Sequence, residues 1–355
     1  QAIINKLKTI EINTIEEFYN IIEFNDVDTD NETPLMYAFK YYGLNPKCNS
    51  EILLKILDMD CKPEHIDNSN ETALIKAFRY YGENPKCNSE ILLKLLDMDC
   101  KPEQIDNYSW TALMYAFQCY GSNPNCNSTV LLKLLDIDCK PEHINNNSWS
   151  ALIKAFRYYG ENKNCDSKVL LKLLDMNCKP EHINNINSWT ALMFAFYNYG
   201  LNYNCDSKVL LKLLDMDCKP KHINNLNETV LTYAFQCYGS NPNCDATVLL
   251  KLLDMDCKPE HINKYDSTAL MIAFRHYGEN PNCDSKVLLK LLDMNCKPEI
   301  VNKYKWTALM TAFRYYGENP NCDSKVLLKL LDMDCKPESI DNENWTALMY
   351  AFYNY

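Results

Sequence analysis

The sequence predicts an all-α fold, a single solenoid of stacked helix-turn-helix repeats with short finger loops. Three observations predict it. One tripeptide motif returns at a fixed interval, the residues after it follow a helical apolar period, and the eight glycines of the 355-residue chain fall one to a repeat. Periodicity overrides the two or three globular domains that the length alone would imply, because a repeat buries its apolar face against its neighbours.

The motif is Thr33-Pro34-Leu35. It returns as Thr72-Ala73-Leu74, Thr111-Ala112-Leu113, Ser150-Ala151-Leu152 and Thr190-Ala191-Leu192, then at Thr229, Thr268, Thr307 and Thr346. The interval is 39 residues, with one step of 40 between Ser150 and Thr190, and the added residue marks segment 184–188 as a loop. Three regions follow. Residues 1–32 read as a degenerate N-terminal capping helix pair, in which Thr14-Ile15-Glu16-Glu17 is a capping box opening a helix over 15–24. Residues 33–345 hold eight repeats of 39 or 40 residues, and residues 346–355 the first helix of a truncated ninth. The absent second helix of that unit and the lack of an initiator Met raise the expectation of a piece of a longer protein.

Within one repeat, Leu74, Ala77, Phe78 and Tyr81 fall at i, i+3, i+4 and i+7, one face of a short helix. Thr72 suits its N-cap, and Pro34 suits the first turn of the equivalent helix in repeat one. Gly82 follows the last periodic residue, where a left-handed residue stops a helix, and Gly43, Gly121, Gly160, Gly200, Gly239, Gly278 and Gly317 share that slot. A second helix covers 166–175, capped by Asp166 or Ser167. Only Lys168, Lys172 and Asp175 make a polar stripe on it, so it is expected to be covered on both flanks as the middle helix of the stack. Pro180 ends it, and an Asn-rich stretch leads back to the motif.

These residues resemble the ankyrin repeat family. Thr33-Pro34-Leu35-Met36-Tyr37-Ala38 is similar to that family's Thr-Pro-Leu-His-x-Ala opening, residues 169–175 resemble its second helix, and Ile183-Asn184 resembles the entry to its hairpin finger. The family unit has about 33 residues. Each unit here is about six longer, the opening His is Met, Ile or Thr, and the finger glycines are absent, which puts the finger shape in question. The long unit and its Asn, Lys, Ile and Tyr usage resemble ankyrin-type proteins of giant DNA viruses of amoebae. The resemblance implies a right-handed-twisted stack roughly 90 Å long at ~10 Å per layer, with a concave inner-helix face that binds partners.

Composition narrows the function. Apolar residues at 47% and charged ones at 23% fit a folded chain. A net charge of −11 argues against a general nucleic-acid binder. No apolar run approaches the ~20 residues of a membrane helix, and no signal-peptide pattern opens the chain.

Sixteen of the 18 cysteines form pairs 13 positions apart, such as Cys48/Cys61 and Cys165/Cys178, flanking the second helix. That separates them by roughly 15 Å, and equivalents in adjacent layers by ~10 Å. A disulfide needs Cα atoms within about 7 Å. Free buried thiols in a reducing compartment are expected, in host cytoplasm or a virion. A Cys-x-x-x-His spacing at Cys61/His65, Cys139/His143, Cys178/His182, Cys218/His222 and Cys257/His261 raises zinc as an alternative. Gln104, Ile300 and Ser339 occupy the His position elsewhere and no Cys-x-x-Cys exists, so no metal or other cofactor is expected. The Asp58/Asp60-type ladder reads as solvated helix-end acids rather than a calcium site. No nucleophile elbow, phosphate loop or dinucleotide fingerprint occurs, and a repeated residue makes equivalent sites rather than one asymmetric constellation, so no enzyme is expected.

The variable positions carry the functional expectation. Four residues after each motif Thr stand Tyr37, Lys76, Tyr115, Lys154, Phe194, Tyr233, Ile272, Thr311 and Tyr350. Seven after it stand Lys40, Arg79, Gln118, Arg157, Tyr197, Gln236, Arg275, Arg314 and Tyr353. Both sets fall off the buried stripe and are expected to face a partner, with Tyr and Arg as the energetic anchors. Arg79, Arg157, Arg275 and Arg314 are each followed four residues on by Glu, so local pairing is the competing reading. Trp110, Trp149, Trp189, Trp306 and Trp345 precede the motif where Glu32, Glu71, Glu228 and Ser267 stand elsewhere. Tolerance of Glu there predicts at least partial exposure, and Trp110, Trp149 and Trp189 form either an aromatic contact row or packing between fingers. The expected role is a non-enzymatic scaffold gripping a host or viral protein, with no nucleic-acid or membrane partner. The alternative is a structural repeat protein, a virion component, spacer or self-assembling fibre.

Overall fold

The structure is a computed structural model that describes residues 27–44, 50–59 and 61–354. The expected N-terminal cap therefore lies outside the described residues as far as residue 26, as does Cys48. Contacts divide the chain into two units, Gln1–Cys178 and Lys179–Tyr355. Both are all-helical, and among the described residues β pairing is confined to isolated bridges such as Ile105–Thr111 and Ile262–Thr268.

The first unit runs Pro34–Leu44 and Ser50–Leu57, then Ala73–Tyr81 and Ser89–Leu95, Ala112–Tyr120 and Ser128–Leu134, and Ala151–Tyr159 and Ser167–Asp175. The second unit repeats the pattern from Ala191–Tyr197 and Ser207–Leu214 to Ser324–Leu331 and the last first helix, Ala347–Asn354. Inside each unit, first helix packs on first helix and second on second, in chain order. The caps follow the sequence reading. Thr72 Oγ1 accepts the Ile75 amide at 3.4 Å, and Asp166 rather than Ser167 caps its helix, accepting from the Lys168 amide at 3.0 Å.

Three expectations are corrected. The first concerns the middle helix. Every residue from Glu71 to Phe78 is buried, so the first helix, between second helix and finger, is the covered one. The second helix buries Val169, Leu170, Leu173 and Leu174 but turns Lys168 and Asp175 to solvent. The second concerns the glycines, none of which is left-handed. Gly82 has φ −60° and closes a π turn in which its amide donates to the Ala77 carbonyl at 2.7 Å. Glycine is required by close approach instead. A Cβ on Gly43 would lie 2.5 Å from the Tyr80 carbonyl carbon, and one on Gly239 would lie 2.5 Å from the Phe235 oxygen and 3.0 Å from Tyr277 Cβ of the next layer. The third concerns the fingers. Their left-handed turn is taken by Asn70, Ser109, Ser148, Ser188, Asn227, Asp266, Lys305 and Asn344, with φ from 55° to 62°. An Asx side chain closes each tip: Asp67 Oδ1 accepts the amides of Ser69 and Glu71, both at 2.8 Å.

Polar side chains that repeat join the layers. Asn123 Nδ2 donates to the carbonyls of Gly82 and Asn84 in the layer before, at 2.8 and 2.7 Å. Asn162 does the same to Gly121 and Asn123, and Asn241, Asn280 and Asn319 continue the ladder in the second unit. A lysine rail runs along the second helices: Lys133 Nζ donates to the Leu93 carbonyl at 3.1 Å and pairs with Asp97. The cation meets the negative end of the preceding helix dipole. The first acid of the Asp-x-Asp pair thus has an ion-pair partner at Asp58, Asp97, Asp136, Asp215 and Asp254, as does Asp293, where Asn295 takes the second place. The histidines link fingers. His65, His143, His222 and His261 donate from Nε2 to the carbonyls of Asn31, Ser109, Ser188 and Asn227, and Gln104 replaces them with a bond to Asn70. Tyr81, Tyr120, Tyr159, Tyr199, Tyr238, Tyr277 and Tyr316 are fully buried, each hydroxyl accepting the N-cap amide of its second helix. Among the described residues no cysteine forms a disulfide, and burial pushes thiols such as Cys126 up to about 12.

Two substitutions test these joints. Gly239→Ala destabilises the chain by about 1–3 kcal/mol in chemical denaturation, although Ala is the better helix former by ~1 kcal/mol. Asn280→Asp keeps the acceptor that takes the Asn282 amide but loses both donors. It is expected to cost about 2–3 kcal/mol, with hydrogen-exchange protection lost first around Gly239 and Asn241.

Candidate functional site beneath the fingers

The last finger residue, immediately before the motif Thr, lies over the fourth residue after it. Trp110 stacks on Tyr115 with ring centroids 4.7 Å apart. This contact overturns the expected exposure of the first variable set. Tyr37, Lys76, Tyr115, Lys154, Phe194, Tyr233, Ile272, Thr311 and Tyr350 are all buried, none more than 8% exposed. The finger position itself is half-buried at Trp110, Trp306 and Trp345 but buried at Trp149, Trp189, Glu32, Glu71 and Glu228. Tolerance of Glu there does not signal solvent, because the glutamates are held by side-chain partners.

In the first unit the slot is filled in two ways. Lys76 Nζ lies 2.7 Å from Glu32, 2.8 Å from Asp67 and 2.8 Å from Glu71, so three carboxylates hold a buried ammonium. Burial works against the charge, but the hydrogen bonds to Asp67, Glu32 and Glu71 win and hold its pKa above the ordinary lysine value. Arg79 also pairs with Glu71, not with Glu83, and lies over Tyr80 and Tyr115. Two repeats on, Asn145 and Trp149 replace Asp67 and Glu71. Lys154 Nζ sits between two indoles, 4.2 Å from the Trp110 ring centre and 4.0 Å from that of Trp149, and donates to Gln118 at 2.6 Å. Burial, reinforced by Arg157, lowers it to about 7, while the indole faces favour the cation. Arg157 lies over Trp149, Lys40 pairs with Glu32 at 3.2 Å, and Tyr37 stacks on Tyr41.

The second unit fills one region with rings. Trp189 lies 4.7 Å from Phe194, 5.3 Å from Tyr197 and 4.5 Å from Tyr233. The sequence-predicted site residues thus gather into separate patches: Lys76, Arg79 and Tyr115; Trp110, Trp149, Lys154 and Arg157; and Trp189, Phe194, Tyr197 and Tyr233.

Further along the same unit the slots empty. Ser267 stands where a Trp or Glu stands elsewhere, and Ile272 and Thr311 take positions held by Lys, Tyr or Phe. A groove of about 870 Å³ opens between fingers and first helices. Arg275, Arg314 and Tyr315 form its helix side, and Tyr265, Tyr304 and Trp306 its finger side. Arg314 meets Glu318 at 3.4 Å as the sequence allows, whereas Arg275 is exposed and lies over the Tyr315 ring. His276 is lowered to about 4 by burial and Arg275, so it adds no charge at neutral pH. Asp341 is occupied by the Tyr350 hydroxyl at 2.6 Å and the Trp345 amide at 2.9 Å. Glu228 is buried, and burial holds its carboxyl above the usual range against hydrogen bonds from Thr232 and, at 3.3 Å, Asn263. The finger tyrosines Tyr265 and Tyr304 escape the sequence reading, although the loss of bulk at Ser267, Ile272 and Thr311 is visible in the repeat alignment. Among the described residues no three His, Cys, Asp or Glu side chains converge to hold a metal, and no helix is long and apolar enough to cross a membrane. Compared with known proteins, the chain matches no family model and no curated protein.

The lysine between the indoles gives a pH test. An unfolded lysine titrates near 10.4, so between about 7 and 10 the unfolded chain holds a proton that folded Lys154 has released. Stability from this residue therefore rises with pH across that window. Lys154→Met, which removes the buried charge, gains on the parent most below pH 7. Urea titrations are expected to show that advantage shrinking by on the order of 2 kcal/mol by pH 10.

Proposed function

We propose that the chain is a non-enzymatic scaffold of ankyrin-like repeats that binds a protein partner on the face made by its first helices and fingers. One observation carries this reading. Positions that recur in every repeat are consumed in joining layers, whereas the positions that vary open the groove lined by Arg275, Arg314, Tyr315, Trp306 and Tyr304. Arg, Tyr and Trp are the side chains in which interfaces concentrate binding energy. The −11 net charge makes a protein a better candidate than a nucleic acid. The buried free thiols support a reducing compartment, such as the host cytoplasm, and the resemblance of the long repeat supports a viral source.

The second reading, a spacer or self-assembling virion component, draws on the Asn ladder and lysine rail, which recur with little change. Co-purification from expressing cells separates the two. A stoichiometric partner whose recovery falls at least tenfold with Arg275→Glu plus Arg314→Glu supports the scaffold. Recovery only with copies of itself or with capsid proteins, unchanged by those substitutions, overturns it.

A further inference from the structure

Glu228 is a buried carboxylate that Thr232 and Asn263 hydrogen-bond and that Lys264 and His261 favour only through their charge; among the described residues no ammonium or guanidinium forms an ion pair with it, and the chain itself shows what such a carboxylate takes. Glu32 occupies the same finger position five repeats earlier, and there the ammonium of Lys76 from the next repeat reaches it at 2.7 Å. Four residues after Thr268, where the equivalent lysine would stand, the chain has Ile272. The two remaining acids of the Lys76 cluster, Asp67 and Glu71, correspond to Asn263 and Ser267, so the surrounding bulk and charge are reduced together. What remains is open space: Glu228, Asn263, Ser267 and Ile272 all line the 870 Å³ groove. The next slot is bounded by Trp306 and Thr311, and the chain's own Lys154 shows that an ammonium also rests against indole faces in this position.

Building on the scaffold reading, we infer that this groove receives a lysine side chain of the partner, its ammonium on Glu228 and its stem along Ile272 toward Trp306. The pattern of charge restricts the segment that carries it. Arg275 and Arg314 stand on the helix side of the groove, so a uniformly basic segment is repelled there. A lysine with a neighbouring carboxylate satisfies both sides, placing one charge beneath the fingers and the other on Arg275. Net negative proteins with mixed-charge surface segments fit this better than polybasic tails or nucleic acid.

The test uses the full chain and n-butylammonium chloride as a mimic of the lysine stem and head, followed by the tryptophan indole N–H signals in ¹⁵N NMR and with n-butanol as the uncharged control. Butylammonium is expected to shift the Trp306 signal saturably in the millimolar range. Butanol should act at least tenfold more weakly, and Glu228→Gln should weaken the butylammonium response to the level of butanol. Ile272→Lys restores the chain's own lysine and is expected to fold as the Lys76 repeat does, with no saturable shift at all. Equal responses to butylammonium and butanol overturn the inference, as does an unchanged titration in Ile272→Lys. The scaffold reading is judged separately. A partner that co-purifies equally well with the parent and with Ile272→Lys overturns the lysine slot and leaves the scaffold standing, whereas absence of any partner sinks the scaffold while the butylammonium titration still decides the slot.

Discussion

An asparagine two residues beyond a glycine, at Asn123, Asn162, Asn241, Asn280 and Asn319, gives amide hydrogens to two carbonyls of the preceding layer and sets the terms for the packing around it. Asn123 reaches Gly82 and Asn84, while its own Oδ1 accepts the Asn125 amide. The carbonyls these amides reach would otherwise be buried and unpaired, at a cost of about 1–3 kcal/mol apiece. For the amide to arrive, successive helix ends must come close enough that the intervening residue can have no Cβ. Glycine and asparagine are therefore one device. The tyrosine before the glycine, from Tyr81 to Tyr316, completes it by tying the end of the first helix to the N-cap of the second.

Because that device holds the layers, the slot beneath the fingers is released from structural duty and varies in chemistry. It holds an ammonium among three carboxylates at Lys76, an ammonium between indoles at Lys154, and stacked rings at Phe194 and Tyr233. At Ile272 and Thr311 it is only partly filled, and the groove follows. A buried charge survives in the first two cases for different physical reasons: direct ion pairs raise the pKa of Lys76, while polarisable rings and a single amide leave Lys154 close to neutrality. The groove inherits the logic of both but contains the carboxylate without the ammonium.

Much of the fold was legible because its signals are local. Thr72 and Asp166 cap helices through bonds to residues two or three positions away, and the i, i+3, i+4, i+7 set of Leu74, Ala77, Phe78 and Tyr81 is buried as its period requires. The candidate site was legible only in part. Arg275 and Arg314 line the groove, but Tyr37, Lys76, Tyr115 and Lys154 are covered by finger residues that an isolated helix period does not include. The arginine–glutamate spacing misled at Arg79, whose guanidinium prefers the buried Glu71 eight residues back to an exposed Glu83 across a glycine.

By itself the sequence determined the repeat length, the helix pair within each repeat, the residues that start each helix and the smaller side chains at Ser267, Ile272 and Thr311. All of these depend on neighbours within a few positions or on counting along the chain. Tertiary structure alone decided that glycine serves close packing rather than a left-handed turn, that the first helix is the covered one, and that Glu228 is buried beside open space. Each of those depends on what a side chain meets about 40 residues away, and burial, close approach and the strength of a charge are properties of that meeting rather than of the residue.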